Sequence, residues 1–259
     1  MLLVVKILNV LKSISVGGSI VVEALWNYKI KCPFCGTQFE TTRMRNSAIR
    51  IKEQDTDFSN VFESECPYLY SVTVCPTCTF AAKNTDFEKI RVQAEAKIMA
   101  VSKQLRASTR PKPDIFGLGP STPEIAIKRY ELVIAFYKMR YVMDLGVLAN
   151  LYLQLVWLYR LTKNKEKEQL ALAQAAAAYE NYLAKAYNLP ESLGEPGIIY
   201  LIGDMYRRME KYKEACRFFE QALASKEIKD YPKIADMIRD MMMTTKEKLA
   251  KTSESSPSV

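Results

Sequence analysis

Histidine is absent from this 259-residue chain. That absence excludes a large block of chemistry. A Ser-His-Asp triad, a Cys-His dyad, the His-Glu-x-x-His helix of zinc proteases and the zinc-deaminase motif all require imidazole. No side chain that titrates near neutrality without help remains. Proton transfer would fall to carboxylates, Lys, Cys or Tyr with strongly shifted pKa values. The chain therefore reads as non-enzymatic. Glycine is scarce at 9 and proline modest at 11. Ala, Leu, Lys, Glu, Met and Tyr are abundant, which favours helix. A membrane span is not expected: the apolar N-terminal run, residues 1–12, is interrupted by Lys6 and falls well short of the ~20 residues a span needs. The six cysteines lack the density of a secreted disulfide scaffold, so a cytoplasmic location is expected.

What the chain does have is two short cysteine knuckles. Cys32-Pro33-Phe34-Cys35-Gly36 and Cys75-Pro76-Thr77-Cys78 stand at either end of one segment. Two Cys-x-x-Cys pairs supply the four thiolates of a closed tetrahedral zinc shell. The two-residue gap lets one tight turn aim both sulfurs at a single ion, and the turn amides can donate to those sulfurs. Pro33 and Pro76 stiffen the turns. Gly36 permits a left-handed residue after the second cysteine, whereas position 79 is Thr. Cys32, Cys35, Cys75 and Cys78 are thus the expected ligands of a structural Zn2+, with no coordination position left for catalysis. A redox pair is the competing reading of such spacing. Cys66 and Cys216 have no partner at ligand spacing and read as packed residues.

Tyr28–Lys31 and residues 70–74 alternate apolar and polar, as strands do, and each leads into a knuckle. Phe39–Thr42 reads as a return strand. This is the layout of a zinc ribbon. Thr85-Asp86-Phe87-Glu88 matches a capping box at the head of a helix. Pro111, Pro113, Gly117, Gly119 and Pro120 mark a loop, and Thr122-Pro123-Glu124 restarts a helix with Thr as N-cap. Breaks near Asp144, Thr162–Asn164, Asn188–Pro196, Glu210–Lys211 and Lys229–Pro232 divide the remainder into helices suited to antiparallel hairpins. Residues 196–229 fit the 34-residue tetratricopeptide pattern through Gly203, Tyr206, Ala215, Phe219 and Ala222. Residues 126–133 and 155–182 look like degenerate copies.

The expected fold is mainly α: a small β-containing, zinc-ribbon-like module followed by an antiparallel, tetratricopeptide-like helical domain. Residues 1–25 form an extension, its first 20 or so read as an over-extended translation start. The zinc module covers 26–84, a connecting helix 85–106, a linker 107–122, the helical domain 123–250 and a disordered tail 251–259.

The net charge is +8 and the pI about 9.0, which permits anionic partners. The cations are mixed with acids, however. Arg43, Arg45, Arg50 and Lys52 are followed at once by Glu53, Asp55 and Asp57, so a solvated surface is the favoured reading. Arg45, Arg50, Asp55, Asp57 and Phe58 are read as a local ion-pair network steadying the module, in preference to a recognition surface.

The run Cys32-Pro-x-Cys-Gly36, Phe39, Arg45, Arg50, Asp55-Thr-Asp-Phe58, Pro67-Tyr-x-Tyr70 and Val72-x-Val-Cys-Pro-x-Cys-x-Phe-Ala-Ala82 resembles a bacterial family catalogued as domain of unknown function 2225. The resemblance covers about residues 28–250. It departs at Thr79, where the family usually has Gly. It implies a cytoplasmic zinc-binding protein with a double Cys-x-x-Cys module and tetratricopeptide-like helices, and it implies no reaction. The leading expectation is a scaffold or adaptor whose helical groove takes a protein or peptide. A nucleic-acid-binding zinc ribbon, with Tyr68 and Tyr70 stacking on bases, and a thiol redox sensor are the alternatives.

Overall fold

The computed structural model describes residues 23–89, 113–116, 118–139, 144–185 and 189–254. The expected translation-start segment and most of the expected connecting helix lie outside these residues. The chain is mainly helical, with small antiparallel strand pairs at its N-terminal end.

Three hairpins build the front module. β1 (Leu25–Lys31) pairs with β2 (Gln38–Met44), β3 (Ile51–Gln54) with β4 (Asn60–Phe62), and β5 (Val72–Val74) with β6 (Ala81–Lys83). The first and third hairpins each use a cysteine knuckle as their turn, as the alternating runs predict. The third hairpin corrects one detail. Tyr70 is not in the strand, because Pro67 starts a 3-10 turn over Pro67–Tyr70. All three residues of β5 are buried, the polar Thr73 included, so strand alternation is lost there. Thr73 is satisfied by donating to Asn84 Oδ1 at 2.7 Å.

Residues 84–89 form hydrogen-bonded turns. Glu88 does not close the expected capping box with Thr85: its carboxylate accepts from Tyr28 (3.2 Å), while the Thr85 hydroxyl donates to Asp86 (3.0 Å).

Six helices follow among the described residues: α1 (Pro123–Lys138), α2 (Leu145–Leu161), α3 (Lys165–Lys185), α4 (Gly194–Arg208), α5 (Tyr212–Ala224) and α6 (Pro232–Glu254). Thr122 caps α1 by accepting from the Ile125 amide, with Pro123 in the first turn. Asp144 caps α2 by accepting from the Val147 amide. Each helix packs against the next. α2 is buried over most of its surface, from Leu148 to Tyr159, because α1 and α3 cover it on separate sides. α6 continues to Glu254, into the stretch expected as tail. Among the described residues no helix is long and apolar enough to cross a membrane.

The α2–α3 and α4–α5 turns are built alike. Lys163 (φ 56°) and Glu210 (φ 61°) are left-handed. The amides that follow them, Asn164 and Lys211, donate back to the carbonyls of Tyr159 and Tyr206, the six-to-one bond of a Schellman cap. The two tyrosines also match: Tyr159 donates to Glu131 on α1 (2.9 Å) and Tyr206 to Glu180 on α3 (2.7 Å). Gly203 sits where α4 meets α5; a Cβ there would lie 2.7 Å from the Phe219 ring.

Among the places where the module is fastened to the helices, two stand out. Near the second knuckle, Phe80 packs on Phe136 of α1 at 5.5 Å and Asp86 accepts from Tyr137. The second place overturns the reading of residues 45–58. Asp55, Thr56, Asp57 and Phe58 form the tip of the β3–β4 hairpin, and their partners lie on α2 and α4. Arg160 reaches Asp57 (2.8 Å), Asp55 (3.1 Å) and Glu168 (2.8 Å). Arg208 holds Asp55 and the buried Asp204, both at 2.7 Å, and Arg207 holds Asp204 at 2.7 Å. Tyr200 donates to the Thr56 carbonyl (2.9 Å) and its ring meets Phe58. The network joins module to helices and is not local. Arg45 and Arg50 stand outside it: Arg45 lies over Trp26, and Arg50 donates to the carbonyls of Ser47 and Ile49.

Candidate metal centre

The two knuckle turns bring their cysteines together. In the first, Cys32 N–H donates to Thr37 O and Gly36 N–H to Cys32 O. In the second, Cys75 N–H donates to Phe80 O and Thr79 N–H to Cys75 O. Gly36 (φ 74°) and Thr79 (φ 61°) adopt the same left-handed backbone. Thr79 therefore makes the turn in spite of its branched side chain, and its hydroxyl donates to the Cys78 carbonyl at 2.6 Å.

The four Sγ atoms of Cys32, Cys35, Cys75 and Cys78 lie within 4.8 Å of one another. Cys32–Cys78 and Cys35–Cys75 are each separated by 3.6 Å, and all four are free thiols. A tetrahedral ion with metal–sulfur bonds of ~2.3 Å sets its sulfurs about 3.8 Å apart, whereas a disulfide needs about 2.05 Å. The spacing therefore fits one metal ion and no S–S bond. Cys32, Cys75 and Cys78 are buried; Cys35 is exposed.

Close packing of four sulfurs sets their proton balance. The Cys75 thiol falls far below its ordinary pKa because the side chains of Cys32 and Cys78 lie against it, while those of Cys32 and Cys78 are pushed up, since neighbouring sulfurs cannot all ionise together. The amides of Phe34 and Cys35 favour the Cys32 thiolate, and those of Thr77 and Cys78 favour the Cys75 thiolate. The protein thus aims donors at these sulfurs. A divalent cation would complete the arrangement by displacing the thiol protons.

Phe34 stacks on Phe80 at 6.1 Å beside the cysteines, and Phe80 also meets Phe87. The sequence reading gave Phe34 no role. The available signal was an aromatic residue inside or next to each knuckle. Cys66 is half-buried against the core and Cys216 is buried on α5, and neither joins the cluster. Tyr68 and Tyr70 do not offer stacking faces. Tyr70 is buried, with its hydroxyl donating to Glu65 and accepting from the Ser121 amide. Tyr68 is held between Phe62 and Trp157.

The chain matches the model of the family described as "Uncharacterized protein conserved in bacteria (DUF2225)" over residues 25–245. That is most of its length, and it belongs to this family. No curated protein and no solved structure matches it.

Proposed function

We propose that this family member is a non-catalytic, zinc-binding scaffold of the bacterial cytoplasm. A structural Zn2+ held by Cys32, Cys35, Cys75 and Cys78 sets the front module, and tetratricopeptide-like helices receive a protein segment. The observation that carries this reading is the four-thiol cluster, with every Sγ within 4.8 Å of the others. Four protein sulfurs fill a tetrahedral shell and leave no position for water or substrate. The lack of histidine removes the usual proton carrier.

The receiving surface in this reading is a groove of about 430 Å³ between α1, α2 and α3. Tyr152 and Tyr159 line it, with Lys138 and Lys167 over their rings at 5.3 and 5.8 Å. The exposed Leu170 borders it. Two lysines against the single Glu131 suit an acidic segment that sets an apolar side chain against Leu170.

Elemental analysis of natively purified protein is expected to give one zinc per chain, lost in a Cys32→Ser, Cys75→Ser double variant. Loading with iron, or no metal at all, would refute the metal assignment. The groove is tested by comparative affinity capture. A partner taken by the wild type must be lost with Lys138→Glu and Leu170→Glu, and an unchanged capture profile in both variants would refute the adaptor role.

A further inference from the structure

A cleft of about 580 Å³ opens between the β1–β2 hairpin, the end of β6 and α2. Trp26, Arg43 and Arg45 enter from the hairpin, Lys83 from β6 and Gln154 from α2. Trp26 and Arg43 are directly opposite in the strand register. Cross-strand partners share a face of the sheet, and Arg45 follows on the same side two residues later.

These cations lack the partners that buried or crowded cations normally have. Arg43 stacks on Tyr28 with its guanidinium carbon 3.9 Å from the ring centre, yet its Nε and Nη2 are buried and make no hydrogen bond among the described residues. Arg45 lies 5.5 Å over Trp26 and donates once, to the Glu23 carbonyl. Among the described residues no carboxylate comes within ion-pair distance of Arg43, Arg45 or Lys83, and none lines the cleft. The contrast with the hairpin tip is sharp, for there every arginine is matched to an acid.

Buried N–H donors without acceptors are costly, and each calls for a partner that the protein alone does not supply. A planar guanidinium flanked by two further cations suits a phosphate dianion. The space is far larger than phosphate alone and lies within the usual range for small organic ligands, about 300–1,000 Å³. Trp26 supplies a flat apolar surface. Gln154 accepts from Tyr130 through Oε1, which leaves its amide N–H2 to donate.

We propose that this cleft binds a nucleoside monophosphate. Arg43, Arg45 and Lys83 hold the phosphate, the base lies against Trp26, and the Gln154 amide donates to an acceptor on the base edge. The site is separate from the cysteine cluster and from the groove between α1 and α3.

The test is calorimetric titration of the full, metal-loaded chain with AMP, GMP, CMP and UMP. Inorganic phosphate and a short oligouridylate are the comparison arms. At least one mononucleotide is expected to bind more tightly than phosphate. Arg43→Gln is expected to weaken it roughly ten- to hundredfold, the usual loss for a charge-assisted contact. Lys83→Gln weakens it less, and Trp26→Leu abolishes the preference over phosphate. Arg43→Gln trades a half-buried cation without an acid partner for the loss of its stack on Tyr28 and is expected to melt close to wild type, which separates lost binding from lost fold. If it does not fold, Lys83→Gln and Arg45→Gln decide the matter in the same titration. Failure of every mononucleotide to bind, or binding unchanged in these variants, would overturn the proposal. So would phosphate equalling the mononucleotides, or binding by the oligouridylate alone, which would mark a single-strand RNA surface.

Discussion

Gly36 and Thr79 stand at the same point of two matching turns with the same sign of φ. Only the glycine adopts that backbone without a side-chain penalty. Gly36→Ala is expected to cost about 1–2 kcal/mol. Thr79→Gly is expected to gain about 0.5–1 kcal/mol, since relief of the left-handed strain exceeds the lost hydroxyl bond and the added chain entropy. Chemical denaturation of the two metal-loaded variants checks both signs. The cysteines were legible in the sequence because their spacing is local: two residues fix a turn, and the turn aims two sulfurs. Arg43 was not. Its neighbours Tyr28 and Trp26 come from another strand, and a list of nearby charges cannot tell a buried cation without an acid from one in solvent.

The β3–β4 hairpin tip is the element whose partners are farthest away in sequence. Asp57 is fully buried between Arg160 and Arg208. Asp57→Ala leaves two guanidiniums short of a carboxylate and is expected to cost about 3 kcal/mol, the usual effect of breaking a buried ion pair. Asp55 adds a pH dependence. Burial alone would raise its carboxyl pKa, but the hydrogen bond and charge of Arg208, with the Thr56 amide and Arg160, outweigh this and hold it below the ordinary value. A carboxyl lowered on folding contributes stability above its unfolded pKa of about 3.9 and loses it as pH falls through the folded value. Docking of the tip is therefore expected to hold from pH 7 to 5 and to weaken below about pH 4. An Asp55→Asn variant should show a flatter acid limb in the same titration. At the α4–α5 contact, Gly203→Ala drives a methyl group into Phe219 and is expected to cost about 1–3 kcal/mol, measurable as a lowered midpoint. Helix starts were legible because Thr122 and Asp144 are local caps. The tip was misread because an Asp-rich loop looks the same whether it faces water or two distant arginines.

Across the whole molecule, the second knuckle is in direct contact with the helices. Phe80 follows the second knuckle and packs on Phe136 of α1, so loss of a bound metal should be felt in the helices. Chelation of the loaded protein is expected to lower its melting temperature and to raise hydrogen exchange in β5, β6 and α1 together. Exchange that rises only in β1 and β2 would place the two parts in separate cooperative units. The mainly helical architecture was legible from composition and periodicity. How the module sits on the helices was not, because the contacts that hold it join positions from about fifty to about a hundred and fifty residues apart.

That separation has a consequence for biogenesis. The acidic tip leaves the ribosome with neither Arg160 nor Arg208 yet made, and its second guanidinium arrives only when α4 is complete. Until α2 is made Asp57 has no guanidinium to meet, and until α4 is complete it has only Arg160, so the front of the nascent chain is not fully latched while the back is still being translated. A chain truncated before Arg208 is expected to keep that tip open to proteases.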